Sequence, residues 1–491
     1  MNPAQGNARM NFIVIMSDTL RPDHLAAYGN DWCYTPHAAA FAREAAVFEN
    51  AFVGSFPTIP NRTDLLTGRF GEPIHPWLPL AWGETTLPRI LSDHGYATQL
   101  ICDTPHLING GHNFDYPFQA WEFIRGSEVD AWGMDSDPVE LPYKDPSKCS
   151  PAMNERFGPL YMRNRRRQRV EEDFVAHKTF QAAINWLERN SKHEKFFLWI
   201  DGFDPHEPQL PPQHYADLYD PGYPGDLYMA HVALKKLTPA EIKNIRARYA
   251  GMVTFIDKQV GRLLDCLQRL GLAQDTCVVW ISDHGTHLNE HGRILSKDCA
   301  YDEVARTVMM IRAPGMKQAP GRRFAELVQP ADLAPTLLEM ARVKPPEVMQ
   351  GHSFLPLLRG RAFRGRDVAV TARCNLIESL PTGKVAPIYA RDGRWVYAAH
   401  PDAGQRTLFD TRRDPGQTVN VIGKHPRVVR DLHAAVIDFL RTHDAPPQIV
   451  RFFETGDPGD MTNYVPIRPG CENFEMYFSH APALATSLSR R

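Results

Sequence analysis

Four apolar runs in this 491-residue chain end in residues able to hold a cation or move a proton. Ser17-Asp18-Thr19 follows Phe12–Met16, and Asp103, Thr104 and His106 follow Ala97–Cys102. Asp201, Asp204 and His206 follow Phe196–Ile200, and Asp283-His284 follows Cys277–Ile281. A lone Asp after a strand is usually a helix cap. Four such ends, one with adjacent Asp and His, exceed what capping explains. Carboxylates and an imidazole from separate strand ends suit a divalent-metal site. A second signal is the run from Pro57 to Arg69, PTIPNRTDLLTGR. Pro60 is tolerated only in a helix's first turn, so the spacing predicts a helix starting near Thr58 or Ile59. The free N–H groups and dipole of such a start favour an anion. Arg62 lies four residues beyond Thr58, on the same face. The plainer reading makes Thr58 an N-cap and nothing more.

These groups need a scaffold that brings strand ends to one edge. Short apolar runs (those above and Val308–Ile311) alternate with amphipathic stretches at Pro36–Ala46, Thr86–His94, Val170–Arg189, Pro239–Leu270 and Ala331–Ala341. Wholly apolar strands separated by helices predict a mostly parallel sheet covered on both faces. In such a sheet, ligands bind beyond the carboxyl ends of the strands. Two long Pro-rich stretches, Asp135–Leu160 and Pro205–Leu237, read as walls of a pocket. After about Arg361 the pattern shortens into strand-like pieces at Val368–Ala372, Trp395–Ala399 and Thr407–Asp410, then a helix near Val428–Arg441. The expected division is a catalytic domain over 1–365 and an antiparallel C-terminal subdomain over 366–491. The latter ends in an irregular aromatic tail.

Composition narrows the function classes. The chain is 43% hydrophobic with a net charge of −2, which supports a large core and excludes a disordered scaffold. Near-neutrality gives no electrostatic case for nucleic acid or an anionic membrane as partner. The eight cysteines are scattered with no C-x-x-C pair, so neither a zinc ribbon nor a disulfide frame is indicated. With no signal-like start and no long apolar run, the expectation is a cytoplasmic protein with reduced thiols. Five arginines within Arg163–Arg169 read first as a solvated helix, and second as an anionic-substrate rim or subunit contact.

The segment Thr58-x-Pro-x-Arg62, followed by Leu65-Leu66-Thr67-Gly68-Arg69, resembles the sulfatase signature of the alkaline phosphatase superfamily. Asn11–Asp18 resembles its opening metal strand, and Asp204-Pro205-His206-Glu207-Pro208 its His-x-Pro loop. Ser282-Asp283-His284-Gly285, Glu290-His291-Gly292 and Lys297 resemble its second metal segment and catalytic lysine. Val328–Leu358 resembles its post-core helix and loop, and Leu408–Asn420 its C-terminal element. The resemblance runs in order from Asn11 to Asn420. It implies an alkaline phosphatase-like α/β/α sandwich, a small C-terminal sheet, and ester hydrolysis at a metal-bound anion site. Two departures stand out. Sulfatases carry Cys or Ser, converted to formylglycine, where this chain has Thr58, and they usually open with two adjacent Asp where this chain has Asp18-Thr19. Phosphonate monoester hydrolases of the family also lack the second Asp.

The expected site follows. Asp18, Asp283 and His284 hold one divalent cation, with Thr58 as a further ligand and the nucleophile. Arg62 and the helix start bind the anion's oxygens. His206 protonates the leaving group, Lys297 neutralises charge, and Thr104 or His106 contacts the remaining oxygen. Two carboxylates and an imidazole favour Mn²⁺, with Zn²⁺ or Fe²⁺ next, and Ca²⁺ also compatible because related sulfatases use it. Asp204, His206 and His287 are the candidates for a second metal, although the Pro-His-x-Pro context favours substrate contact. His75 reads as a pocket wall. The implied substrate is a small anionic ester, phosphodiester or phosphonate first. A sulfatase working without formylglycine is the alternative, and an inactive binding fold the third reading. The aromatic tail is expected to join subunits of a homo-oligomer.

Overall fold

The computed structural model describes residues 10–71, 77–109, 111–134, 138–193, 195–230, 232–316, 321–373 and 385–460. Thirteen strands are described. They are β1 (Asn11–Ser17), β2 (Ala46–Ala51), β3 (Ser55–Phe56), β4 (Ala97–Cys102), β5 (Ala120–Phe123), β6 (Phe196–Gly202), β7 (Thr276–Ile281), β8 (Met309–Arg312) and β9 (Arg323–Val328). β10 (Ala369–Arg373), β11 (Ile388–Arg391), β12 (Trp395–Ala399) and β13 (Thr407–Asp410) follow. An eight-stranded sheet runs β5-β4-β6-β1-β7-β8-β2-β9. Only β8 runs antiparallel to its neighbours, so the sheet is mostly parallel as expected.

β1 sits in the middle and every residue of it is buried. Its side chains alternate between two cores. Ile13 and Ile15 face one with the helices Val175–Asn190 and Pro239–Arg269. Phe12, Val14 and Met16 face the other with Leu65, Leu66 and the Leu333–Met340 helix. A strand buried on both faces reads as a continuous apolar run, which is why the sequence reveals it. The Pro239–Arg269 helix opens with a capping box. Glu241 N–H donates to Thr238 Oγ1 at 3.3 Å, and Thr238 N–H to Glu241 Oε2 at 2.7 Å. No helix among the described residues is long and apolar enough to cross a membrane.

Two departures from the sequence expectation bear on the site. The stretch expected to be helical to Ala46 ends at Glu44, and β2 follows at once. The second sheet, β13-β12-β11-β10-β3, takes one strand from far upstream, because β3 pairs with β10 through Ser55 and Phe56. The small sheet therefore anchors the chain two residues before Thr58. The tail expected to be irregular after Pro446 instead opens with a helix, Pro447–Thr455, whose Ile449, Phe452 and Phe453 are buried on the small sheet's core; its part beyond 460, the expected subunit contact, and His75 lie outside the described residues.

Candidate active site

The carboxyl ends of β4, β6, β1 and β7 are side by side, because these strands are neighbours and parallel. Asp18, Asp283 and His284 are fully buried there, with ligand atoms within 4.8 Å of one another. No second cluster of this kind occurs among the described residues; Asp204, His206 and His287 do not converge as one. Three features fit a cation. His284 Nδ1 lies 2.9 Å from the Gly285 carbonyl, which only accepts, so Nδ1 carries the proton and Nε2 presents its lone pair. That buried Nε2 has no hydrogen-bond partner. Asp18 Oδ2 faces Arg62 Nη1 at 3.0 Å but receives no directed hydrogen bond. Burial pushes the Asp18 carboxyl up, yet the nearby positive charges, Arg62 first and Lys297 among them, hold it at about 2. It is a carboxylate at any working pH.

Thr19 stands where the family's second Asp is expected. It has φ of 64°, a strained region for a β-branched residue. The conformation aims its groups at the metal ligands. Its N–H donates to Asp283 Oδ1 at 2.9 Å, and its hydroxyl to Asp18 Oδ1 at 2.7 Å. The Tyr249 hydroxyl, from the long capped helix, donates to the Thr19 carbonyl at 2.8 Å and fixes the turn. Gly285, directly after His284, has no room for a side chain: a Cβ would lie 2.0 Å from the Glu303 carbonyl oxygen. Gly285→Ala is expected to displace His284 and cut metal affinity at least about tenfold, read by calorimetric titration; unchanged affinity would contradict this.

The helix Thr58–Thr67 starts where Pro60 predicts, and all ten residues are buried. Thr58 is its first residue, not its cap: Pro57 is the cap, with no side-chain capping bond. Asp64 ties the helix to the small sheet by accepting from Ser55 N–H and Ser55 Oγ, each at 2.7 Å. Asn61 Nδ2 donates to the Asp283 carbonyl at 3.2 Å, so the first turn packs on the metal segment.

Arg62 differs from expectation. Its guanidinium is fully buried and faces carboxylates, not solvent or an open anion site. Nη2 donates to Asp201 Oδ1 at 2.9 Å, while Nη1 bonds Asp283 Oδ2 and pairs with Asp18. With three carboxylates around it, its charge is spent on holding ligands in place. Asp201, at the end of β6, stands among the strand-end carboxylates of the sequence but takes no role there, because one Asp after a strand resembles any other. Thr104 also differs: its hydroxyl donates to Asp201 Oδ1 at 2.7 Å, bracing that carboxylate, and the residue is fully buried.

His206 Nδ1 lies 2.7 Å from the Glu207 carbonyl and therefore carries the ring proton. Lys297 Nζ donates to His206 Nε2 at 2.5 Å and to Glu207 Oε1 at 3.2 Å. Burial lowers the His206 pKa, so the ring stays neutral. Burial also opposes the Lys297 charge, but Glu207 and then Asp18 raise its pKa and keep it an ammonium. The proton expected on His206 thus stands on Lys297, and His206 orients it. Phe203 stacks on His206 at 4.2 Å between ring centres. His106 packs edge-on against Trp77 and Phe203; burial, with His206, His112, Lys297 and Arg62, drops its pKa to about 3.

Glu128, from the loop after β5, was also missed. Burial, then the Glu207 charge, pushes it up to about 8, and burial takes Asp204 to about 7 against Arg165. Both carry protons in the folded chain that the unfolded chain has released above about pH 5. Raised carboxyl pKa values stabilise below the unfolded value, and the gain is lost as pH rises through 7 to 8. Stability is expected to fall from pH 6.5 to 8.5, and Glu128→Gln to flatten the fall; identical pH profiles in thermal unfolding would refute the assignment. The Arg163–Arg169 run is used locally: Arg165 sits over the Phe174 ring and Arg167 over Trp132.

A sulfatase family model matches residues 10–343, and one described as N-sulphoglucosamine sulphohydrolase, C-terminal, matches residues 289–441. The chain is similar to an arylsulfatase of Clostridium perfringens, 26% identical over 479 residues, covering 88% of this chain and 92% of that one. It is similar to an N-acetylglucosamine-6-O-sulfatase of Bacteroides thetaiotaomicron, 23% identical over 496 residues, covering 85% and 83%. Its fold is like that of the phosphonate monoester hydrolase of Agrobacterium radiobacter, with TM-score 0.72, 22% identity and coverage of 89% and 96%.

Proposed function

The chain belongs to the sulfatase family of the alkaline phosphatase superfamily, a family of ester-bond hydrolases, and we propose that it hydrolyses phosphoric diesters or phosphonate monoesters with Thr58 as nucleophile. The observation that carries this reading is Thr58 itself. It heads the buried helix one turn before Arg62, and its hydroxyl is not used as a cap. A sulfatase places Cys or Ser there for conversion to formylglycine, which releases sulfate by elimination. A threonine ester has no such exit and needs direct hydrolysis, a route phosphoryl and phosphonyl esters tolerate.

Asp18, Asp283 and His284 would hold the divalent cation, Mn²⁺ in our reading. When bound, it would lower the pKa of a nucleophilic hydroxyl and neutralise charge on the substrate anion. Thr58 Oγ, as the alkoxide left once its proton has gone to solvent, forms a bond to phosphorus as the bond to the leaving oxygen breaks. The Lys297 ammonium gives that oxygen its proton, and the neutral His206 Nε2 holds the amine in place. Water then attacks the phosphorus of the threonine ester, returns a proton to Lys297 and frees Thr58. The N-terminal N–H groups of the Thr58–Thr67 helix face the anion's remaining oxygens.

The second reading is a sulfuric ester hydrolase that works with Thr58, favoured by relatives that bear sulfatase names. The inactive-fold reading is disfavoured by the intact cluster of Asp18, Asp283 and His284 and by the Lys297–His206 pair. The deciding assay compares 4-nitrophenyl phosphodiester, phosphonate and sulfate esters after chelation and reloading with Mn²⁺, Zn²⁺ or Ca²⁺. Phosphonate or phosphodiester turnover above sulfate, lost on chelation, is the expected result. Sulfate preference would overturn the first reading, and no turnover with no bound metal would overturn both.

A further inference from the structure

A narrow cavity lies beside His206, whose Nε2 meets Lys297. Three carboxyl groups line it, Glu128, Asp204 and Glu207, with apolar walls that include Phe203, Phe174 and Met252. Glu128 Oε2 and Glu207 Oε2 each lie 3.8 Å from His206 Nδ1, too far for a hydrogen bond. That nitrogen is already committed to the Glu207 carbonyl. Glu207 Oε2 is buried without a hydrogen-bond partner, and the Glu207 side chain is only 9% exposed. Lys297 pairs with the other oxygen of Glu207 and cannot satisfy this one. An orphaned carboxylate oxygen beside an acidic cavity calls for a donor that also carries positive charge.

Resting on the hydrolase reading above, we infer that the leaving group of the natural substrate carries an ammonium group, which enters this cavity and bridges Glu128 and Glu207. Glu207 joins the cavity to the chemistry, because its Oε1 meets Lys297, the donor to the leaving oxygen, and the residue lines the cavity. An ammonium two or three carbons from the leaving oxygen reaches from that donor to the cavity. The substrate is thus zwitterionic, with its anion at the metal end and its cation among the carboxylates. Arg165 acts on Asp204, which leaves Glu128 and the unpartnered Oε2 of Glu207 to meet the ammonium.

The test separates binding from turnover. The metal-loaded protein is titrated calorimetrically with 2-aminoethylphosphonate and with propylphosphonate, which differ in the terminal ammonium and are not esters. The aminoethyl compound is expected to bind at least about tenfold more tightly, the size of effect one well-placed buried charge pair supplies. In Glu128→Gln, which keeps shape and cannot become a carboxylate when the ammonium enters, that advantage should shrink at least about fivefold. A matching preference is expected in kcat/KM for 2-aminoethyl over propyl esters of whichever acid is hydrolysed. Equal affinities, or an advantage untouched by Glu128→Gln, would overturn the inference and leave a cavity filled by water alone. Inert 4-nitrophenyl esters would sink the hydrolase reading instead, while the affinity ratio would still decide the cavity.

Discussion

Thr58→Ala is expected to lower kcat on the best phosphonate or phosphodiester substrate by at least about 10⁴-fold, with fold and metal content retained. The side chain loses one hydroxyl and one methyl at a helix start where it makes no capping bond, so stability should change little. Thr58→Ser restores a hydroxyl at the same position and should keep phosphoryl transfer within about tenfold of the parent. Thr58→Cys, produced with a formylglycine-generating enzyme, supplies the group that the family signature implies. That variant is expected to gain sulfate ester turnover. Single-turnover trapping of a phosphothreonine would place the bond on residue 58. Hydrolysis by the alanine variant at the parent rate would remove Thr58 from the chemistry.

Arg62→Met is the substitution with the largest expected effect on stability, about 3–5 kcal/mol. The guanidinium is the cation between Asp18, Asp201 and Asp283, all fully buried. Removing it leaves like charges facing one another out of reach of water. Arg62→Lys restores the charge but not the fork that reaches Asp201 and Asp283 together, and should recover only part of the loss. Saturating divalent metal should also recover part, because a cation binding only the folded chain stabilises it in proportion to ln(1 + [M]/Kd). It neutralises Asp18 and Asp283 and leaves Asp201 unpaired. Urea unfolding with and without metal reads both effects. A methionine variant as stable as the parent would mean that the arginine does not hold the cluster.

Much of the frame was legible because its signals are local. The buried central strands read as apolar runs, and the helix at Thr58 was set by Pro60. The metal cluster was legible because Asp18, Asp283 and His284 immediately follow buried strands whose neighbours are parallel. The inner strand β2, the edge strands β5 and β9 and the two-residue β3 escaped notice: two residues carry no periodicity, and the other three are short and mixed in polarity. Glu128 lies in a loop whose composition marks nothing, so only its burial beside His206 and Lys297 reveals it.

Residue types and spacing by themselves determined the chemistry available to this chain: a hydroxyl at a helix start, two carboxylates and an imidazole at strand ends, and a lysine and a histidine in reserve. Tertiary structure alone decided how those groups are spent. Arg62 meets Asp201 and Asp283 across separations of 139 and 221 residues, and Lys297 meets His206 across 91. Charge pairing and proton position depend on distances of a few ångströms and on exclusion of water. Neither is encoded in any short stretch of chain; both arise only when the strands close side by side.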